Sequence, residues 1–184
     1  MATLEAPKRP SFRVWIPLAA LTLALLAGFG IWRISRLQST SSIDTEGVSG
    51  AAPEFRLAAL DGRQIGPQDY EGKVLLLDFW ATWCKPCHLQ AEILADLYPQ
   101  FRAQGVEFLA VSLGEDEETV RDFVTRRPFP YPVLIDPQDE LAGRLGIVAF
   151  PALMVIDRQA RVAFFQQGLV DGETLERVLR GAAG

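Results

Sequence analysis

Both cysteines of this 184-residue chain lie in one short stretch, residues 79–88, between an apolar run and a segment with helical periodicity. The apolar run, residues 74–79, is typical of a buried strand, and apolar side chains then recur at helical spacing from Pro86 to about Ala103. This arrangement predicts that Cys84 lies at a helix N-terminus, where unpaired N–H groups and the helix dipole stabilise a thiolate. A second apolar run at 106–113 completes a strand–helix–strand unit, which requires a parallel strand pair.

The rest of the sequence predicts further strands and helices, which together with the strand–helix–strand unit form one domain. They predict strands at 54–60, 131–135, 152–156 and 162–166, and helices ending at Arg127, over 140–145 and over 172–180. The acidic run 115–118 is interpreted as the start of the helix that ends at Arg127, because acids there complement the helix dipole. The order of elements predicts an α/β fold with a mixed central sheet and flanking helices over residues 53–184.

The N-terminal 52 residues differ in sequence pattern from the predicted domain. Residues 14–32 form an apolar run whose only polar side chain is Thr22, and as a helix it would span about 28 Å. The run exceeds the usual apolar core of a cleaved signal peptide, so we expect a transmembrane anchor. Three basic residues precede it and two follow, which predicts a cytoplasmic N-terminus at residues 1–13. The sequence of residues 33–52 predicts a flexible tether. Because the N-terminus is predicted to be cytoplasmic, we expect the domain on the periplasmic or exterior side of the inner membrane.

The charge distribution narrows the possible partners. The chain has a net charge of −5, and its first 36 residues carry +4, which leaves −9 for the rest. An acidic domain argues against nucleic acid as a partner.

The spacing of Cys84 and Cys87 favours a redox-active dithiol. A structural disulfide closing so short a loop would contribute only about 2 kcal/mol, and a zinc site would need His88 and a further ligand. We expect Cys84 to attack and Cys87 to resolve, with Lys85 favouring the thiolate and Pro86 stiffening the turn. A net oxidase and a Cu(I)-binding module that uses the same thiolates stay open as alternatives.

Asp78 interrupts the apolar strand before the dithiol. An unpaired carboxyl group is costly in such a strand, and burial would raise its pKa towards the range useful for proton transfer. Asp78 is therefore the predicted proton acceptor when Cys87 attacks.

Residues 78–87, Asp-Phe-Trp-Ala-Thr-Trp-Cys-Lys-Pro-Cys, resemble the active-site segment of thioredoxin-fold proteins, particularly the membrane-tethered TlpA/ResA group of thiol-disulfide oxidoreductases. The segments 52–57, 61–62, 72–74 and 150–157 also match that group. The similarity covers about residues 53–180 and implies that residues 114–146 form the insert typical of the group. A peroxidase of the related peroxiredoxin class would need a Pro-x-x-x-Thr/Ser-x-x-Cys context, which is not present around either cysteine.

The resemblance implies roles for residues that the spacing alone does not assign. Pro151 matches a cis-proline that holds the substrate backbone beside the dithiol, and Trp83 matches a tryptophan that covers the dithiol. Phe150 stands where the group usually has a small or β-branched residue, which predicts a more apolar substrate groove. The group also often has Asn where this chain has Asp78, and Glu where it has Gln90.

The resemblance also implies partners. It predicts client proteins with disulfides and a membrane electron donor of the CcdA or DsbD kind, with no cofactor and no metal. His88, where Arg or Lys is common, is interpreted as an exposed residue of the first helical turn.

Overall fold

The structure, a computed structural model, describes residues 50–184. The predicted cytoplasmic segment, the predicted anchor and the first part of the predicted tether, residues 1–49, lie outside the described residues. Within residues 50–184, the helices all fall short of the length and apolar character that a membrane span requires. The described part includes the dithiol and every predicted site residue.

One mixed sheet of eight strands forms the centre of the described residues. The strands are β1 (Gly50–Ala51), β2 (Leu57–Ala59), β3 (Gln64–Ile65), β4 (Val74–Trp80), β5 (Val106–Leu113), β6 (Val133–Asp136), β7 (Ala152–Ile156) and β8 (Arg161–Gln167). Their spatial order is β1-β8-β7-β4-β5-β6-β2-β3. Strands β4, β5 and β6 are parallel and the other neighbouring pairs are antiparallel, so the predicted mixed sheet is confirmed.

Four helices cover this sheet in the described part of the chain. They are α1 (Lys85–Arg102), α2 (Glu117–Arg126), α3 (Glu140–Leu145) and α4 (Gly172–Ala183), and a short 3₁₀ helix spans Pro67–Tyr70. Helices α1, α2 and α4 bury their apolar residues in one core cluster, whereas α3 packs into a second cluster. The two clusters contain opposite faces of β4, so the sheet is covered on both sides.

Strand β4 is buried along its whole length. Because side chains alternate between the faces of a strand, Leu76 and Trp80 pack towards α1, and Leu75, Leu77 and Phe79 pack towards α3. Asp78 falls on the α1 side, opposite Ala110 of β5 and Leu153 of β7 in the ladder. The central strand therefore places a carboxyl group on the sheet face that also receives α1.

Four predicted strands differ from the observed ones at their ends, and one of them is β4, which extends one residue beyond the predicted range 74–79. The strand predicted at 54–60 is only β2, because Phe55 turns into the second core cluster and Arg56 pairs with Asp69. The strand predicted from residue 131 begins two residues later, after Pro132, which has no N–H group for the ladder. Strand β8 extends one residue beyond each end of its predicted range.

The sheet also begins before residue 53. Gly50 and Ala51, at the end of the predicted tether, pair with Val162 and Arg161 of β8. The Ala52 N–H continues this contact by donating to the Ala160 carbonyl over 2.8 Å. The open edge of β8 offers backbone partners to these residues, and they join the sheet instead of remaining a free coil.

The end of the sheet opposite the dithiol is fastened by Arg158, in the turn between β7 and β8. Its guanidinium donates to the carbonyl oxygens of Gly72, Gln104 and Ala183 at 3.1 to 3.2 Å. These carbonyls come from the approach to β4, the end of α1 and the end of α4. One side chain therefore holds together three segments at this end of the sheet.

Gln90 joins α1 to the segment that leads into α4. Its side chain is buried, its Nε2 donates to the Val170 carbonyl at 3.2 Å, and its Oε1 accepts from the Val170 N–H at 2.8 Å. The amide satisfies both backbone groups of one residue that is 80 positions away. At this position the chain therefore has an uncharged side chain that links two segments, and this pair of hydrogen bonds is called the Gln90 clamp below.

We expect Gln90→Glu to destabilise the protein by about 2 to 3 kcal/mol, because a carboxylate cannot donate to the Val170 carbonyl and would be buried with its charge. Urea unfolding measures this change. Gln100→Glu, on the exposed side of the same helix, is the matched control and should change stability by less than about 0.5 kcal/mol. Equal effects of the two substitutions would show that the Gln90 clamp contributes nothing specific.

Candidate active site

The dithiol lies where β4 passes into α1. Helix α1 begins at Lys85, and Cys84 is its N-cap residue in an extended conformation. Cys84 and Cys87 are joined by a disulfide with their Cα atoms 5.3 Å apart. The Cys84 Sγ accepts from the Cys87 N–H at 3.3 Å, so the predicted position at a helix N-terminus is confirmed.

The two cysteines differ in burial only slightly in this oxidised form. Cys84 is 4% exposed and Cys87 is 1% exposed, whereas Lys85 and Pro86 between them are exposed. Cys84, which is predicted to attack, is thus only slightly more exposed than Cys87, and both residues are buried in this form. After reduction, the Cys87 N–H and the positive end of the α1 dipole would stabilise a Cys84 thiolate.

Asp78 is buried without a partner. It is 0% exposed, and neither carboxylate oxygen forms a hydrogen bond with any residue in the range 50–184. Burial raises the pKa of Asp78 to about 8. The side chain lies on the face of β4 whose core cluster includes both cysteines, so the carboxyl group is on the side of the sheet that carries the dithiol.

Two further buried polar groups lie on the same side of the sheet. The Trp80 Nε1 and the Tyr131 hydroxyl also find no hydrogen-bond partner among the described residues. Burial raises the pKa of Tyr131 well above its ordinary value, and the Asp78 charge adds to this effect. A groove of about 210 Å³ reaches Trp80 and Cys87 between α1, α2 and the loop that precedes β6, and offers room for water near these groups.

The loop before β7 forms the other side of the site. The Phe150–Pro151 peptide bond is cis, as the resemblance implied. Phe150 is half-buried, and its ring centroid lies 5.7 Å from that of Trp83 in an edge-on contact. Trp83 itself is 68% exposed, so the two aromatic rings form an apolar wall that faces solvent beside the dithiol.

Glu115 holds the loop that connects β4 to the dithiol, a role that the sequence reading missed. Its Oε2 accepts from the Thr82 N–H at 2.8 Å and from the Ser112 hydroxyl at 2.9 Å, and its Oε1 accepts from the Thr82 hydroxyl. Glu115 was interpreted as a helix-start acid, and that interpretation is wrong for this residue. It is correct for Asp116, which caps α2 by accepting from the Thr119 N–H.

His88 completes this network from the first turn of α1. Its Nε2 lies 2.9 Å from the Thr82 carbonyl oxygen and donates to it, and its ring packs against Phe123. His88 is half-buried, so its interpretation as an exposed residue is wrong. Thr82 is therefore fixed at its N–H and hydroxyl by Glu115, and at its carbonyl by His88.

No cluster of three or more His, Cys, Asp or Glu side chains in the described part of the chain has the arrangement of a metal site. The Cu(I) alternative would need Cys84, Cys87 and His88 together. The His88 Nε2 donates to the Thr82 carbonyl, so Nδ1 is the ring nitrogen that could join the two sulfur atoms as a ligand.

Comparison with known proteins matches this architecture. The AhpC/TSA family model matches residues 48–165. Thiol-disulfide oxidoreductase ResA of Geobacillus thermodenitrificans is 37% identical over 132 residues, which cover 72% of this chain and 76% of that protein. ResA of Geobacillus kaustophilus is 34% identical over 160 residues, or 87% and 91% of the two chains.

Solved structures of two other proteins superpose on this chain. One from Chlorobium tepidum, assigned as the thiol:disulfide interchange protein DsbE, superposes with a TM-score of 0.70 at 29% identity and covers 74% of this chain and 98% of its own. A secreted thiol-disulfide isomerase from Corynebacterium glutamicum gives 0.65 at 27% identity, with 72% and 84% covered.

We expect Asp78→Asn to stabilise the oxidised protein while slowing thiol exchange. The folded pKa of about 8 lies above the unfolded value near 3.8, so the wild-type protein loses stability as the pH rises between these values. Below about pH 4 the variant should therefore have the same free energy of unfolding as the wild type. At pH 7 its free energy of unfolding should be higher by about 2 to 4 kcal/mol. Urea unfolding from pH 4 to 9 measures this, with the exposed Asp96→Asn as control. A gain that does not depend on pH would contradict the buried, protonated carboxyl group.

We expect Glu115→Ala to loosen the loop before the dithiol. The substitution leaves the Thr82 N–H without its acceptor and should cost about 2 to 3 kcal/mol in unfolding free energy. Hydrogen exchange should become faster at the Thr82 amide in particular. Glu118→Ala removes an exposed acid from the first turn of α2 and should cost less than about 1 kcal/mol, without a change in hydrogen exchange at the Thr82 amide.

Proposed function

The chain belongs to the AhpC/TSA family of thioredoxin-fold proteins and is a thiol-disulfide oxidoreductase, and on this basis we propose that it reduces disulfides of client proteins outside the cytoplasm. The observation that carries the proposal is the Cys84–Cys87 pair at the N-terminus of α1, on the side of the sheet that also holds a buried Asp78 without a partner among residues 50–184. The direction of the reaction, the clients and the membrane attachment are parts of the proposal.

The chemistry follows from these positions. The Cys84 thiolate attacks one sulfur of a client disulfide, which forms a mixed disulfide and releases the other client sulfur as a thiolate. Cys87 then gives its proton to the Asp78 carboxylate and attacks the Cys84 sulfur. The second client thiol leaves, two electrons have passed to the client, and the protein holds the Cys84–Cys87 disulfide.

The site supports proton transfer near neutral pH. A carboxyl group with an ordinary pKa would be too weak a base to take the thiol proton, whereas the pKa of Asp78 is raised to about 8 and lies near that of a thiol. The absence of hydrogen-bond donors around Asp78 among residues 50–184 supports this assignment, because such donors would lower its pKa.

The rim of the site supports a protein client. Trp83 and Phe150 present an aromatic wall beside the dithiol, and Pro151 ends the loop that faces the dithiol. An extended client segment could lie along this loop with an apolar side chain against Phe150. The candidate clients are cytochrome c precursors, copper-site assembly proteins and other proteins with unwanted disulfides.

The predicted anchor at residues 14–32 supports the location. A single span with a cytoplasmic N-terminus would hold the domain at the outer face of the inner membrane, in the periplasm or outside the cell. Disulfides persist there, so reducing power must be brought to the protein. We propose that a membrane electron donor of the CcdA or DsbD kind re-reduces Cys84 and Cys87.

We expect the pre-reduced full-length protein, purified in detergent, to reduce insulin, and Cys84→Ser to lower the rate to background. Cys87→Ser should accumulate the mixed disulfide because the resolving thiol is missing, and expressing this variant in cells should trap its clients for identification. A reduction potential near about −270 mV is expected for a reductase. A value near about −120 mV would instead assign the protein as an oxidant, and failure of Cys87→Ser to form any mixed disulfide would contradict dithiol exchange.

A further inference from the structure

The loop between α3 and β7 exposes an apolar side chain next to the site. Residues 146–150 form no helix or strand, and Val148, near the middle of this loop, is 89% exposed. Phe150 follows two positions later and contacts Trp83. The exposed valine thus lies two residues from Phe150, which forms the aromatic wall with Trp83.

One side chain, that of Gln167 at the end of β8, fixes this loop. The Gln167 Oε1 accepts from the N–H groups of Val148 and Ala149 at 2.8 and 2.9 Å, and its Nε2 donates to the Gly146 carbonyl at 3.1 Å. The amide group therefore satisfies three backbone groups on a loop that lacks regular secondary structure.

The same end of β8 also holds the proline. The Gly168 N–H donates to the Pro151 carbonyl at 2.7 Å, and Gln167 pairs with Ala152 in the ladder. The loop from Gly146 to Pro151 is thus held by two consecutive residues, Gln167 at the end of β8 and Gly168 directly after it. Val148, Phe150 and Pro151 consequently keep fixed positions relative to one another.

We propose that Gln167 is a positioning residue for client recognition, which holds Val148 as a preformed apolar anchor beside the dithiol. This inference rests on the proposed function. The partner is the client polypeptide, and the anchor recognises an apolar side chain near the disulfide that the client presents. Because the loop is already ordered by Gln167, binding does not have to order it, and that lowers the cost of capture.

The proposed role of Gln167 differs from the roles of the two cysteines and Asp78, which take part in the thiol chemistry. Gln167 acts through the loop backbone, and all three of its hydrogen bonds go to loop atoms. Its removal should weaken the capture of a protein client without changing the thiol chemistry. A small disulfide, which has no segment to lay across Val148, should be unaffected.

The test compares two disulfide probes with the full-length protein in detergent. We expect Gln167→Met to raise KM for insulin about tenfold, equivalent to about 1.4 kcal/mol of binding free energy, with kcat within about twofold. The rate with 5,5′-dithiobis(2-nitrobenzoate) and the reduction potential should stay unchanged. Gln166→Met is the matched control, because Gln166 is equally half-buried but faces the other side of the sheet.

Two further variants separate positioning from folding. Gln167→Glu keeps an acceptor for the two N–H groups and should stay within about threefold of the wild-type KM, a rescue that a general folding defect would not show. Val148→Ser changes an exposed side chain without touching the clamp and should raise KM for insulin about tenfold.

An unchanged KM for insulin in both Gln167→Met and Val148→Ser would overturn the inference, as would an equal effect of Gln166→Met. Failure of the wild-type protein to reduce either probe would instead overturn the proposed function.

Discussion

The burial of β4 on both faces is the constraint on which the rest of the site depends. All seven residues of this strand are buried between two core clusters, so the strand cannot shift without exposing apolar side chains on one face or the other. Its carboxyl end fixes the point at which α1 begins and thereby the position of Cys84. The same rigid strand keeps Asp78 in a place where water cannot solvate its charge, which gives the carboxyl group its basicity.

Features that depend on local pattern could be predicted from the sequence. The strand, the dithiol turn and α1 follow from a continuous apolar run, a helix-compatible spacing and Pro86 in the first helical turn. The placement of Pro151 next to the end of β4 that leads to the dithiol could not be derived in this way. It depends on the pairing of β7 with β4, between residues more than 70 positions apart, and it was expected only because the segments resemble a known family.

Glu115 and Gln90 make long-range hydrogen bonds to backbone groups that no pattern in the sequence indicates. Glu115 lies in an acidic run typical of a helix start, yet it bonds to Thr82, 33 positions earlier. Gln90 looked like a missing acid, and it is a clamp on Val170. No periodicity encodes such contacts, because they require the relative placement of two elements that only the assembled sheet provides. Of these two buried side chains on the dithiol side of the sheet, Gln90 is neutral and hydrogen-bonded, whereas Asp78 is ionisable and has no partner among residues 50–184.

The hydrogen bonds of Arg158 have a consequence for where a label or a surface can be attached to the protein. Residues 50–52 enter the sheet beside the β7–β8 turn, and the carbonyl of Ala183 is held by Arg158 of that turn. Because β7 runs antiparallel to β4, this turn lies at the end of the sheet opposite the dithiol, about 20 Å away along the strand. A fluorescent fusion or a surface linker attached at the C-terminus would therefore leave the reactive face free, and immobilised protein would present its sulfur atoms outward.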